Sequence, residues 1–107
     1  MNGATAEDWL TQEIRDLLED GPTGLYQFLW YLNGSSYGLS DQEAIELSQR
    51  IARALLDAGQ ARLYVVRWPD FDIVDGPLPP AFLDEPGSWA EQEQGRFIAL
   101  VPVDQSP

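Results

Sequence analysis

The 107-residue sequence contains no cysteine, no histidine and no lysine. Without cysteine, it has neither a disulfide framework nor a thiolate metal site. Without histidine, it lacks the most frequent general base and the most frequent metal ligand. The glycine patterns of P-loop and Rossmann nucleotide sites are also missing. We therefore expect a protein that is not an enzyme and that holds no metal and no cofactor.

Long hydrophobic runs are absent as well. No apolar segment approaches the ~20 residues of a transmembrane helix, and the N-terminal MNGATAEDW lacks the basic and apolar regions of a signal peptide. These absences predict a cytoplasmic protein without a membrane role.

The length favours a single domain over 1–107, with an ordered core over about 5–103 and a frayed tail over 104–107. The hydrophobic fraction of 44% argues against a disordered chain.

Positive charge is scarce. The only bases are six arginines, which stand against 18 acidic residues and leave a net charge of −12. Such a chain repels nucleic acid and anionic membranes and attracts basic partners. The alternative interpretation is that the charge only keeps the protein soluble.

Three helices are predicted from hydrophobic spacing and capping signals. The first spans 5–20 and carries an apolar stripe. The second spans about 23–32, an uncharged segment for which a buried strand is the alternative. The third runs from Ser40 to Ala58, because Ser40 and Glu43 form a capping box and Gly59 supplies a left-handed stop. We expect its core face to include Leu47, Ile51 and Leu55.

Two strands follow the helices. ARLYVVRW over 61–68 and RFIALVPV over 96–103 are rich in strand formers, and an antiparallel pairing is the simplest arrangement. The segment 69–94 between them is too long for a plain loop, and a short helix with Pro80 at its first position is expected to interrupt it. The predicted fold class is α+β, with three helices followed by a small antiparallel sheet and a long acidic wing-like loop.

The order helix, helix, helix, strand, long loop, strand resembles the winged helix-turn-helix superfamily. The resemblance implies that the third helix reads a DNA groove and that 69–94 forms the wing. The charge departs from that pattern, because the third helix has four acids against two arginines and the wing has no base. The wing acids are Asp70, Asp72, Asp75, Asp84, Glu85, Glu91 and Glu93. Since phosphate neutralisation supplies most non-specific DNA affinity, the sequence predicts no direct nucleic-acid binding.

The stretch DFDIVDG, which begins at Asp70, suggests a calcium loop. An EF-hand needs oxygen ligands at positions 1, 3 and 5 and a glutamate at position 12. Here position 5 is Val74 and position 12 is Ala81, so we expect an acidic turn instead. A pair of carboxylates could in principle act as a catalytic acid and base. Asp72 and Glu91 are one such pair, but they lie at opposite ends of the wing and nothing in the sequence brings them together.

The aromatic residues indicate a partner surface. The second helix is apolar nearly all round, so Tyr26 and Trp30 lie together on a face beside its core stripe. The alternative is that this helix is buried on every side. Aromatic anchors ringed by carboxylates suit a binding site for a basic protein. The candidate partner-binding residues are Tyr26, Trp30, Trp68, Asp70, Asp72, Asp75, Asp84, Glu85 and Trp89.

The favoured function is that of a small, acidic, non-catalytic protein-binding module. Its most concrete form is a bacterial immunity or antitoxin-like inhibitor that covers the active site of a basic toxin or nuclease. The chain resembles such inhibitors in its small size, its acidity and its lack of catalytic groups. The alternatives are a winged-helix transcriptional regulator that acts on DNA and a nucleic-acid mimic.

Overall fold

The computed structural model describes residues 6–34, 38–70, 72–90 and 95–103. It has an α+β fold in which three α-helices accompany a four-stranded antiparallel sheet. The predicted tail over 104–107 lies outside the described residues. Among the described helices, none is both long and apolar enough to cross a bilayer. In chain order the elements are α1 (Ala6–Asp20), β1 (Thr23–Gly24), α2 (Leu25–Asn33), α3 (Asp41–Asp57), β2 (Ala61–Arg67), β3 (Asp72–Leu78), two 3₁₀ helices (Pro80–Asp84 and Pro86–Trp89) and β4 (Arg96–Pro102).

Helix α3 begins and ends where the sequence predicts. The Ser40 hydroxyl accepts a hydrogen bond from the Glu43 backbone N–H (3.1 Å), and the Glu43 carboxylate accepts one from the Ser40 N–H (3.0 Å). The predicted capping box is therefore confirmed. At the other end, Gly59 adopts a φ of +72°. Its N–H bonds to Leu56 O while that of Gln60 bonds to Leu55 O, which is the Schellman arrangement that favours glycine.

Helix α2 begins two residues later than the sequence predicts. Thr23 and Gly24 instead form the short strand β1, which pairs with Leu100 and Ala99 of β4. The helix then starts at Leu25, and the side chain of Gln27 accepts a hydrogen bond from the Gly24 N–H at 2.7 Å. The strand alternative is therefore correct only for the first two residues of the segment.

The two predicted strands are confirmed as the centre of the sheet, whose strand order is β1-β4-β2-β3. Strands β2 and β4 pair antiparallel over seven residues, from Ala61 opposite Pro102 to Arg67 opposite Arg96. On its other side β2 pairs with β3, with register shifts on either side of Val65. Such irregularities mark a bulged edge strand.

The segment 69–94 is more structured than the wing-like loop expected from its sequence. It contains β3 and two 3₁₀ helices, of which the first begins at Pro80 as predicted. Strand β3 is hard to recognise because acids, glycine and proline have low strand propensity. An edge strand tolerates them, since one side of its backbone needs no partner and charge there opposes aggregation.

The main core lies between the helices and one face of the sheet. Helix α3 contributes Leu47, Ile51 and Leu55, as predicted, and the 3₁₀ helices contribute Leu83 and Trp89. The remaining buried members come from all three helices and from β2 and β4: Leu10, Ile14, Leu18, Leu25, Phe28, Leu32, Ala44, Ala52, Ala61, Leu63, Ile98 and Leu100.

The opposite face of the sheet carries a second, smaller cluster. Val66, Phe97 and Ala99 are buried there, with Tyr26 and Tyr64 packed against them. The predicted alternation along β2 accounts for this cluster, because Tyr64 and Val66 point away from the helix-facing Leu63. Both faces of the central strands are therefore apolar.

Candidate protein-binding surface

Two of the predicted aromatic anchors are at the surface. Trp30 of α2 is 72% exposed and Trp68, which follows the last residue of β2, is 57% exposed. Tyr26 precedes Trp30 by one helical turn and is half-buried. Its ring meets Phe97 edge to face, at a centroid distance of 5.3 Å and an interplanar angle of 88°. Tyr26 thus packs against the small cluster on the sheet.

The rings of Tyr26 and Phe97 border a cavity of about 300 Å³. The described residues that line it are Tyr26, Trp68, Gly95 and Phe97. The Trp68 N–H donates to Gly95 O at 2.8 Å, which ties the end of β2 to the residue before β4. Gly95 has a φ of +73°, a conformation that glycine adopts without steric cost. Three aromatic rings and one glycine therefore form the described walls of the cavity.

Acidic residues follow Trp68 along the same hairpin. Asp70 lies in the β2–β3 connection, and Asp72 and Asp75 lie on β3; all three are exposed. The Asp75 carboxylate accepts a hydrogen bond from the Gly76 N–H at 2.9 Å. We call Asp70, Asp72 and Asp75 the acidic hairpin. The exposed Trp68 and the acidic hairpin are thus joined by a few residues of chain.

The other two predicted acids lie in a different place. Asp84 ends the first 3₁₀ helix and forms an ion pair of 2.9 Å with Arg53 of α3. Glu85 is exposed between the two 3₁₀ helices. Because Arg53 offsets the charge of Asp84, this pair attracts a basic partner less than the acidic hairpin does.

Trp89 does not form part of the surface, contrary to its inclusion among the candidate anchors. It is 2% exposed. Its indole N–H donates to Leu83 O at 2.9 Å, and its ring meets Phe28 edge to face at 5.5 Å. Trp89 therefore anchors the second 3₁₀ helix in the core. The proline-rich composition around it concealed that role, because it indicates a loop.

Three polar side chains of α3 bind groups on other elements of the molecule. Arg50 forms an ion pair of 3.2 Å with Glu7 of α1, and Arg53 binds Asp84. Gln49 donates to Leu83 O at 2.9 Å, so the first 3₁₀ helix contacts this side of the helix. Both arginines of α3 are thereby committed to carboxylates of this chain.

Sequence reasoning missed Phe97, Gly95 and the exposed Ile73 and Val74 of β3. The only available signal was that β4 is apolar on both faces, which suggests a second cluster but not a cavity. Within the described ranges, no group of three or more carboxylates is arranged to hold a metal ion.

Comparison with known proteins gives no match to a family model, to a curated protein or to a solved structure.

Proposed function

We propose that this protein is a small, acidic, non-catalytic module that binds a basic protein in the cytoplasm. In its most concrete form, it is a bacterial immunity or antitoxin-like inhibitor that covers the active site of a basic toxin or nuclease. The observation that carries the proposal is the position of the exposed Trp68 beside the acidic hairpin, with the exposed Trp30 one turn from Tyr26.

Each part of this surface has a distinct physical role. The acidic hairpin accelerates encounter with a positively charged partner, because long-range attraction raises association rates. Tryptophan side chains give large contact areas with few rotatable bonds, and such anchors supply most of the binding free energy at protein interfaces. The partner-binding residues in this proposal are Tyr26, Trp30, Trp68, Asp70, Asp72 and Asp75, together with Asp84 and Glu85, which lie apart from the others.

A winged-helix regulator is the rival proposal, and the order of the elements favours it. Its weakness is electrostatic, because a DNA-reading helix needs bases for phosphate. The only arginines of α3 are Arg50 and Arg53, and both are paired with carboxylates of the chain. We expect no measurable binding to duplex DNA at physiological salt in an anisotropy titration. Sub-micromolar, sequence-dependent binding would reverse the ranking of the two proposals.

The test of the main proposal is affinity capture from the native organism followed by a direct assay. Wild-type protein and a Trp30→Ala/Trp68→Ala variant serve as parallel baits. We expect the wild type to enrich a basic protein that the variant loses, and the purified protein to bind with an affinity that falls as salt rises. If that partner is a toxin, its activity should decline in proportion to added inhibitor.

The control bait keeps both tryptophans and replaces Asp16, Glu19 and Asp20 of α1 by the corresponding amides. Helix α1 packs against α2, α3 and the β1–β4 side of the sheet, whereas β3 forms the other edge. This control should retain the partner. If all three baits enrich the same proteins, or if the specific partner is acidic, the proposed function is wrong. A nucleic-acid mimic would instead be indicated by a captured partner that releases its nucleic acid on binding.

A further inference from the structure

A cavity lined by Tyr26, Trp68, Gly95 and Phe97 lies on the candidate surface. Its volume of about 300 Å³ is at the lower limit of the ~300–1,000 Å³ typical of ligand sites. It therefore suits one side chain or one small group. We propose that it receives an arginine side chain of the basic partner. This inference depends on the proposed function and names the group that the partner inserts.

The walls of the cavity favour a cation. Aromatic faces carry negative electrostatic potential and attract a guanidinium or ammonium group within about 6 Å of the ring centroid. Tyr26 and Phe97 meet edge to face, with their ring planes 88° apart, and a cation is attracted by the face of a ring rather than by its edge. Trp68 adds the type of ring that binds cations most strongly.

Charge outside the cavity strengthens this preference. Asp70 follows Trp68 by two residues, and Asp72 is two further along the acidic hairpin. The whole chain carries a net charge of −12. A cation approaching the cavity therefore enters a negative potential before it reaches the rings.

The described lining favours arginine over lysine. The lining residues that the structure describes are aromatic residues and one glycine, so a bound cation exchanges part of its hydration for contact with aromatic rings. Guanidinium is more weakly hydrated than ammonium and stacks on aromatic faces through its plane. Both properties reduce the free energy lost on entering an aromatic cavity.

The experiment uses N-acetyl-arginine amide as the probe, at low salt, with the full chain. Proton–nitrogen correlation spectra show one indole signal for each of the four tryptophans, and each is assigned by a substitution. We expect the Trp68 signal to shift and saturate in the millimolar range. The signals of Trp9 and Trp89 should stay in place and serve as internal controls.

Two comparisons test the chemistry. N-acetyl-citrulline amide has nearly the same shape as the probe and no charge, so it should give no saturable shift. Because cation–π contacts change affinity by roughly 2- to 30-fold, Trp68→Leu should weaken binding of the arginine probe by that factor. Because Trp68→Leu lacks the Trp68 indole signal, binding of the arginine probe to this variant is followed through the backbone signals of Gly95 and Phe97. Trp68→Phe keeps an aromatic ring and should retain most of the affinity, which separates loss of the ring from loss of the fold.

Equal shifts with arginine and citrulline would overturn the inference, as would an arginine effect that Trp68→Leu leaves unchanged. Failure of this inference is distinguishable from failure of the proposed function. If a basic partner binds the wild type and Trp68→Leu equally well, the cavity is not its anchor, although the proposed function stands. If the arginine probe binds as expected but capture yields no basic protein, the cavity binds a guanidinium group, whereas the proposed function and the assignment of that group to a basic partner both fail.

Discussion

The two faces of the sheet are buried by different means. One face is covered by three α-helices and two 3₁₀ helices, which enclose a large aliphatic core. On the other face, the described residues form a cluster of only Val66, Phe97 and Ala99, with Tyr26 and Tyr64 packed against it. A few aromatic rings on this face thus take the place that a layer of helices has on the other.

The two tyrosines lie over glycines at opposite edges of the sheet. A Cβ atom on Gly24 of β1 would approach the Tyr26 ring to 2.6 Å, and one on Gly76 of β3 would approach the Tyr64 ring to the same distance. Each glycine leaves room for a ring to lie directly on the edge strand. The helix-covered face does not depend on a ring lying over a glycine, because its side chains pack against those of the helices.

The largest expected effect concerns the helix-covered face. Leu55→Ala removes a side chain that is 3% exposed and should lower the free energy of unfolding by about 2–5 kcal/mol, as buried leucine truncations do. Urea denaturation measures this change. Trp30→Ala is the matched surface control and should stay within about 0.5 kcal/mol. A Leu55→Ala loss as small as the control would mean that this face of α3 is exposed.

A smaller effect is expected on the aromatic-covered face. Gly76→Ala should lower the free energy of unfolding by about 1–3 kcal/mol. Gly76 has a φ of +131°, and a Cβ there would also lie 3.0 Å from Leu63 O, which cannot move away easily. Gly87→Ala is the control, because a Cβ at Gly87 meets nothing within 4 Å. Equal stability of the two variants in thermal denaturation would show that Tyr64 does not lie tightly over β3.

The acidic hairpin beside the aromatic-covered face should act on binding kinetics. Replacing Asp70, Asp72 and Asp75 by asparagine should slow association with the basic partner by about 2- to 10-fold at low salt and flatten its salt dependence. The dissociation rate should change little, because exposed charges mainly affect encounter. Stopped-flow measurements at two salt concentrations test this, with the α1 triple amide variant as control. An unchanged association rate would assign the hairpin to solubility alone.

The smallest effect concerns the cap of α3, which holds the helix-covered face in place. The backbone N–H and hydroxyl of Ser40 hold the pKa of Glu43 below its usual value. A lowered pKa in the folded state means that the capping box stabilises the protein above the unfolded pKa of 4.5, and that this contribution is lost as pH falls through the folded value. Glu43→Ala should therefore be less stable than wild type at neutral pH. The difference should shrink in denaturation curves recorded well below pH 4.5, and a constant difference would contradict the cap assignment.

Local signals made the helices and the central strands predictable. The capping box at Ser40, the left-handed Gly59 and the alternation along β2 each depend on residues close in sequence. Strand β3 depends instead on pairing with β2, because its own residues have low strand propensity. Non-local packing of this kind is not visible in a local pattern.

The candidate surface was predictable to a similar extent. The exposure of Trp30 agrees with a helix that needs only one core stripe, and the exposed Trp68 lies where the sequence placed its strand end. Trp89 was misplaced, because a PGSW segment indicates a turn while its burial depends on Phe28 and Leu83. The cavity needs Tyr26, Trp68 and Phe97 from three separate elements, so no sequence pattern could indicate it.

The position of β3 at the edge of the sheet also has a consequence for colloidal behaviour. Ile73 and Val74 are exposed on this strand between Asp72 and Asp75. Charged residues on an edge strand oppose pairing with the edge of another molecule. That protection depends on repulsion between copies, and it disappears near the isoelectric point of about 4.1, where the net charge vanishes. Acidification toward pH 4.1 should therefore promote self-association through β3.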